Sequence, residues 1–429
     1  MSQKQSRRKR GVFLSSIGWQ RLQSAERQAE LQDNEGAPYT LEALSARTRL
    51  SPNTITKVRR RQVAVDRQTL EAYFSAFRLQ LRPEDCQSVD ATRELSNAAA
   101  SPSQAISGSP HLIERTRLEQ ICGDIIQSPG ALLQIRGPRQ VGKTLLMAKT
   151  ATQSGLTTVI LNLKLADRAI LQSLSGFLQW LYQASVQTLN FTDAPLPDDD
   201  SFSCTAAFQG LLDRLEEPLV LALDDTDALL KEPHIAIDFL QLLRSWHEQA
   251  HYGHDPSDIW QRLRVILVHN SEIYLSQWDT PLPLEFGTVI DVPNFTQAQV
   301  HQLAERYSLE RADAIADKLV HFLNGKPSLT QLALHHLSTY QTPIDQLTSS
   351  YLSPDSIFAE HLLYYLSLLQ QHPDLLDSFQ QVVQADQPVL LPPLQAYKLS
   401  RLGLTLGQGQ LAVPLCHLYR VYFSHVLYD

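Results

Sequence analysis

The chain has 429 residues, 43% of them hydrophobic, a formal net charge of −8 and four cysteines. That length exceeds one ordinary domain, and that apolar fraction fills packed cores, which excludes a disordered tail or a low-complexity array. Cys86, Cys122, Cys204 and Cys416 lie far apart with no C-x-x-C pair, which argues against a zinc or disulfide framework and for the cytoplasm; no apolar run is long enough for a membrane span, and the basic N-terminus lacks the apolar segment of a secretory signal.

Charge is divided unevenly. Residues 1–95 carry 17 Lys and Arg against 11 Asp and Glu, a net of +6, while the rest carries 20 against 34, a net of −14. A basic first segment suggests a polyanionic partner there; a basic tail on a protein-binding domain is the other reading. Thr40 caps a helix that runs through Arg47, with Leu41, Leu44 and Leu50 as apolar positions. Ser51-Pro52 opens a second helix. Its Ile55 and Val58 face a core, and Asn53, Thr54, Thr56, Lys57, Arg59, Arg60 and Arg61 face outward. Asp66 caps a third helix over residues 69–77. Two short helices joined by a tight turn, the second polar and basic, make the helix-turn-helix pattern. This segment resembles the λ-repressor/Cro-like family, with residues 41–45 as first helix and 51–60 as recognition helix. The resemblance implies that Asn53, Thr54, Thr56, Lys57 and Arg59 contact DNA bases and phosphates, and that Arg60 and Arg61 take phosphate. Many domains of this shape bind protein instead.

Residues 95–109 are small and polar, with Pro102 inside and Pro110 just after, and read as a tether between an N-terminal all-α helix-turn-helix domain, 1–94, and an α/β core, 110–295. In the core, residues 131–136 read as a buried parallel strand and residues 144–149 as a helix. Between them stands Gly137-Pro138-Arg139-Gln140-Val141-Gly142-Lys143-Thr144, the G-x-x-x-x-G-K-T phosphate-binding loop. Its glycines curl the backbone so that N–H groups point at phosphate oxygens, Lys143 reaches the β- and γ-phosphates, and the Thr144 hydroxyl takes a place on Mg²⁺. Strands over 158–163, 219–223, 263–268 and 288–292 alternate with helices, which predicts a parallel sheet with right-handed crossovers. An acidic loop is expected over 192–203. The run Pro218 to Asp227 has the Walker B form, with Asp224 placed to hold Mg²⁺ and Asp225 beside it; a capped, solvated strand end is the bland reading of the acids. Asn270 ends the fourth strand, either as a polar sensor or as a loop cap.

Beyond residue 295 the pattern is helical. A lid is expected over 296–350 and a winged helix over 351–429, with a two-stranded wing over 403–413. Lys398 and Arg401 are the basic residues of its third helix, too sparse for DNA, so this part reads as a packing module against the core.

Residues 108–429 resemble the AAA-like ATPases common in cyanobacteria, and share features with STAND signalling ATPases and origin-recognition initiators. Residues 136–144 and 415–423 carry much of that likeness. The resemblance implies ATP or ADP with Mg²⁺ as ligands. It places Ile113 and Arg115 against adenine, although an edge strand with a capping arginine reads equally well. Asn324-Gly325-Lys326-Pro327 matches a Gly-x-Pro signature whose proline, Pro327, presses on the base; simple helix punctuation is the alternative. Asp225 stands where many relatives carry a water-orienting glutamate, and Asn270 where a γ-phosphate sensor sits. The shorter acid, and the lack of an arginine early in the last lid helix, imply slow hydrolysis. The expected function is a nucleotide-dependent switch acting on DNA or an unknown protein. The rivals are an ATP-driven, DNA-associated loader that forms ATP-dependent homo-oligomers, and a transcription factor with a structural P-loop.

Overall fold

A computed structural model describes residues 112–427 except 192–195, 199, 253–256, 276–283 and 354, and, before them, residues 11–14, 21–22, 25–26, 29, 39–51, 54–55, 57–58, 65–82 and 85–88. Two units result, Met1–Ser107 and Gly108–Asp429. The tether expected over 95–109 lies outside the described residues.

In the first unit, helix α1 (Leu41–Thr48) starts where the Thr40 hydroxyl accepts from the Ala43 N–H at 3.2 Å. The Ser51 hydroxyl accepts from the Thr54 N–H at 3.2 Å, and residues 54, 55, 57 and 58 are helical. Ile55 and Val58 are buried with Leu44, Leu70, Tyr73 and Phe74. Helix α2 (Arg67–Ala76) follows Asp66, which occupies the cap position without a side-chain cap bond. Lys57 is exposed and Thr54 half-buried; Asn53, Thr56, Arg59, Arg60 and Arg61 lie outside the described residues. The expectation of an all-helical first domain is corrected by an antiparallel sheet. Strand β1 (Gly11–Leu14) pairs with β2 (Val65–Asp66) and with β3 (Cys86–Ser88). A four-residue run is too short to show a period, and its partners are remote in sequence.

The second unit begins with α3 (Thr116–Gln127), β4 (Leu132–Gly137), α4 (Lys143–Gln153), β5 (Thr157–Asn162) and α5 (Leu174–Thr188). It continues through α6 (Ser201–Arg214), β6 (Leu219–Asp224), α7 (Asp227–Leu230), α8 (Pro233–Gln249), α9 (Ser257–Trp260), β7 (Leu263–Asn270) and β8 (Thr288–Asp291). The strands form one parallel sheet in the order β5-β6-β7-β4-β8. Helices cover both faces, so β6 is buried along its whole length and its sequence is apolar from Leu219 to Leu223, ahead of Asp224. Gln134 inside β4 is buried but satisfied, donating to the carbonyls of Leu284 (2.9 Å) and Phe286 (2.6 Å). The expected acidic loop ends early: Asp200 accepts from the Ser203 N–H at 2.7 Å and starts α6.

The helices α10 (Gln297–Arg306), α11 (Ala312–Leu323), α12 (Pro327–Tyr340) and α13 (Ile344–Ser349) follow. Then come α14 (Ala359–Gln370), α15 (Pro373–Gln384), β9 (Val389–Leu390), α16 (Pro393–Arg401), β10 (Thr405–Gln408), β11 (Leu411–Pro414) and α17 (His417–Val426). The last strands make a small antiparallel sheet in the order β10-β11-β9. Leu303, Leu319 and Leu334 of the helical part share one hydrophobic core with Leu362, Phe379 and Phe423 of the C-terminal part. Among the described residues no helix is long and apolar enough to cross a membrane.

Gly325 joins α11 to α12 at φ +64°, and a Cβ there would lie 2.1 Å from the Phe295 carbonyl oxygen. The substitution Gly325→Ala is expected to lower stability by at least about 1 kcal/mol, read as an earlier midpoint in chemical denaturation. An unchanged midpoint would contradict this close approach.

Candidate nucleotide-binding site

The loop between β4 and α4 turns through left-handed backbone at Gln140 (φ 64°) and Gly142 (φ 98°). Lys143 opens α4 and is buried. Its Nζ donates to the carbonyls of Gly137 (3.0 Å) and Pro138 (2.8 Å) and to Oδ1 of Asn270 (2.7 Å). Burial lowers its pKa to about 8, against the pull of Asp227, Glu272, Asp224 and Asp225.

Sheet order explains which groups meet here. Strand β7 lies between β4 and β6, so its end falls between the loop and the acids that follow β6. Asn270 is in register with Gly137, and Asn162 at the end of β5 with Asp224. Asp224 is buried, which raises its carboxyl above the usual range, and its Oδ1 accepts from the Thr144 hydroxyl at 3.2 Å. Two oxygen donors, a hydroxyl and a carboxylate, fit Mg²⁺, which keeps much of its water and takes few protein ligands.

Asp225 has left-handed backbone (φ 52°). Its carboxylate accepts from Asn162 Nδ2 at 2.9 Å and pairs with Lys164 Nζ at 2.9 Å. Burial pushes its carboxyl up, but the bonds from Lys164 and Asn162 outweigh that and leave it below the ordinary value. Asp227, the third acid of the run, accepts from the Asn270 backbone N–H (3.0 Å) and from Asn270 Nδ2 (2.9 Å). Burial raises its carboxyl to about 6.

Beside the loop opens a cleft of about 670 Å³, counted with its open mouth, lined by Ile113, Arg115, Gln140, Val141, Gly142, Phe295 and Pro327 among others. Ile113, Arg115 and Pro327, far apart in sequence, meet there. Arg115 donates to the carbonyls of Pro293 and Val141, the latter at 2.9 Å, and lies over the Phe295 ring at 5.0 Å. It thereby braces one wall of the cleft, and burial lowers its pKa to about 10.

Arg139 is not brought to the cleft. Its guanidinium lies 4.4 Å from the centre of the Tyr364 ring and 4.0 Å from Glu272, which accepts from the Tyr364 hydroxyl at 2.7 Å. The C-terminal part touches the loop again at Gly403, where a Cβ would lie 2.8 Å from Pro138 Cγ. Arg401 donates to Asp291 at 2.8 Å, and Asp291 also receives Arg136 at 2.7 Å. Lys326 is fully buried between the rings of Tyr365 (5.3 Å) and Tyr419 (5.0 Å), and burial lowers its pKa to about 8.

Sequence reasoning missed Asn162, Lys164, Asp227, Glu272, Tyr364, Lys326 and Gly403. Asn162 had a usable signal, a polar residue ending a core strand. Asp227 had one too, a further acid in the Walker B run.

A strand, a glycine-curled loop, a helix opened by Lys and Thr, and acids at the neighbouring strand ends define a P-loop ATPase on a parallel sheet. The chain belongs to the AAA-like domain family, whose model matches residues 101–425. A comparison with curated proteins finds no match. Among solved structures the fold is similar to that of a Walker-type ATPase of Pyrococcus abyssi, with TM-score 0.51, 11% identity, and coverage of 73% of this chain and 96% of that one. The ORC2 protein of Aeropyrum pernix in its ADP form matches at TM-score 0.39 and 16% identity, over 72% of this chain and 93% of that one. A STAND protein with a tetratricopeptide repeat sensor from Pyrococcus horikoshii matches at TM-score 0.30 and 14% identity, over 73% of this chain but 42% of that one. Identities this low speak to fold alone.

The lowered pKa of Lys143 sets a pH dependence with a definite sign. Phosphate attracts the ammonium and not the free amine. ATP affinity is therefore expected to hold below pH 8 and to fall above it, by up to about tenfold per pH unit. Titration calorimetry from pH 7 to 9 measures this, and a flat profile contradicts a cationic Lys143 as phosphate ligand.

Proposed function

We propose that this protein is an ATP-binding, slowly hydrolysing regulatory switch. Its nucleotide state sets how the helical lid and a C-terminal winged helix dock on the P-loop core, and the basic N-terminal helix-turn-helix unit carries that state to DNA or to a protein. Lys143 would hold the β- and γ-phosphates, Thr144 and Asp224 would hold Mg²⁺, and Ile113 and Pro327 would pack on the base. The bound ion would neutralise charge on the phosphates. Thr54 and Lys57 belong to the proposed DNA face, as do Asn53, Thr56, Arg59, Arg60 and Arg61.

The observation that carries the reading is the contact between the C-terminal part and the phosphate loop itself. Gly403 rests on Pro138, and Tyr364 covers Arg139. A phosphate entering this loop draws Lys143 off the Pro138 carbonyl, and Pro138 is the residue that Gly403 touches. The equilibrium moves only if ATP and ADP bind the docked and undocked arrangements differently. Slow hydrolysis is supported by Asp225, whose carboxylate is already engaged by Asn162 and Lys164.

Replacing Lys143 with Ala should abolish ATP binding in calorimetry; unchanged affinity refutes the site. Light scattering after gel filtration, with ATP turnover in the presence and absence of duplex DNA, separates the switch from its rivals. Rings with DNA-stimulated turnover favour a loader, and specific DNA binding indifferent to ATP favours a structural P-loop. Lys164→Ala should raise turnover severalfold, because it frees one Asp225 oxygen; a lower or unchanged rate contradicts the restraining role of Lys164.

A further inference from the structure

Asn270 cannot present either end of its amide at will. Its backbone N–H lies 3.0 Å from both oxygens of Asp227, and its Nδ2 donates to Asp227 Oδ2 at 2.9 Å. A carboxylate only accepts, so the amide nitrogen is committed to it. The Oδ1 end is left facing the phosphate loop, where it accepts from Lys143 Nζ at 2.7 Å.

We propose that Asp227 is a positioning residue that turns the acceptor end of Asn270 toward the nucleotide, so that Asn270 holds a proton of the attacking water and does not donate to the γ-phosphate. The inference rests on the ATPase reading above. A γ-phosphate offers only acceptors and repels Oδ1. The attacking water has the opposite need. Its oxygen forms the new bond to the γ-phosphorus with a lone pair, while the bond from phosphorus to the β–γ bridging oxygen breaks and its electron pair leaves on ADP. Both water protons point away from phosphorus and require acceptors. Asp225, released by Lys164, takes one proton. Asn270 Oδ1, released when Lys143 moves to the phosphates, holds the other, which stays on the inorganic phosphate product. Strand β7 lies directly beside β6, so the two acceptors stand at adjacent strand ends.

A reciprocal exchange tests this. In Asp227→Asn the amide at 270 loses its fixed sense, and in Asn270→Asp two carboxylates face each other. Each single variant should lower turnover at least about tenfold, roughly 1.4 kcal/mol of barrier. Each should also lower the nucleotide-free melting temperature by about 2–4 °C. Combining Asp227→Asn with Asn270→Asp restores the side-chain hydrogen bond with the donor now at position 227, and the second carboxylate oxygen at position 270 again faces the loop as an acceptor. Melting of this double variant should return to the wild-type value, and turnover should recover to within about threefold, under half of the single-variant barrier. A donor role predicts the reverse, since the double variant sets a carboxylate against the γ-phosphate. A double variant that melts as low as the worse single variant overturns the orientation. One that melts normally while turnover stays low overturns the water-holding role. Wild type with no turnover above the Lys143→Ala background removes the ATPase reading and the water-holding role with it, while nucleotide-free melting still decides whether Asp227 orients Asn270.

Discussion

A buried ammonium constrains the whole site. Taking a cation out of water costs several kcal/mol unless it is well bonded, and Lys143 is well bonded: two loop carbonyls and one amide oxygen surround it. The loop is therefore curled around its own lysine. A triphosphate entering the site must replace those acceptors, and the replacement is favourable because phosphate oxygens carry charge and carbonyls do not. The third acceptor comes from the neighbouring strand. Because Asn270 is in register with Gly137, the sheet delivers that side chain to the lysine without any loop having to fold onto it.

The C-terminal part depends on the same loop. The Asp291 pairing with Arg401 is half-exposed, and pairs of that kind contribute little. Packing is the stronger tie. Gly403 leaves room for Pro138, and Lys326 is buried between two tyrosine faces with its Nζ donating to the Gly403 carbonyl at 3.4 Å. Aromatic faces offset part of the cost of burying that cation. Lys326 is followed at once by Pro327, which lines the cleft beside Ile113. One short segment thus joins a wall of the cleft to the C-terminal core.

The sequence was most legible where the chemistry is local. Gly137 to Thr144 announces its loop, and the β6 run announces a buried strand, because each pattern is written in consecutive residues. The order of helices and strands from β4 to α12 was also readable from alternation and punctuation. What escaped was set by sheet order. Asn162 is marked as a polar strand end, but neither it nor Lys164 says that it will hold Asp225, since that contact requires β5 and β6 to be neighbours. Arg139 stands inside the loop motif, yet its side chain turns to Tyr364, a residue more than two hundred positions away that no local pattern points to. The first unit failed differently: β1 has four residues, too few to display any period, and its pairing partners lie far along the chain.

Asp225 is held through both carboxylate oxygens, and the proposed switch rests on that restraint. A residue held in left-handed backbone is strained unless its surroundings fix it, and strain of that kind concentrates at working sites. Here the fixing groups are Asn162 and Lys164, and both are donors to the carboxylate. They hold its pKa down, which makes it a weaker base. A motor needs a base that accepts a proton in every cycle. A switch needs an ATP state that persists until something removes the restraint, and the Lys164 side chain that supplies part of it is two-thirds exposed. In the proposed switch the same acid would serve both states: restrained, it would preserve a bound triphosphate, and released, it would end that state by taking the proton from water.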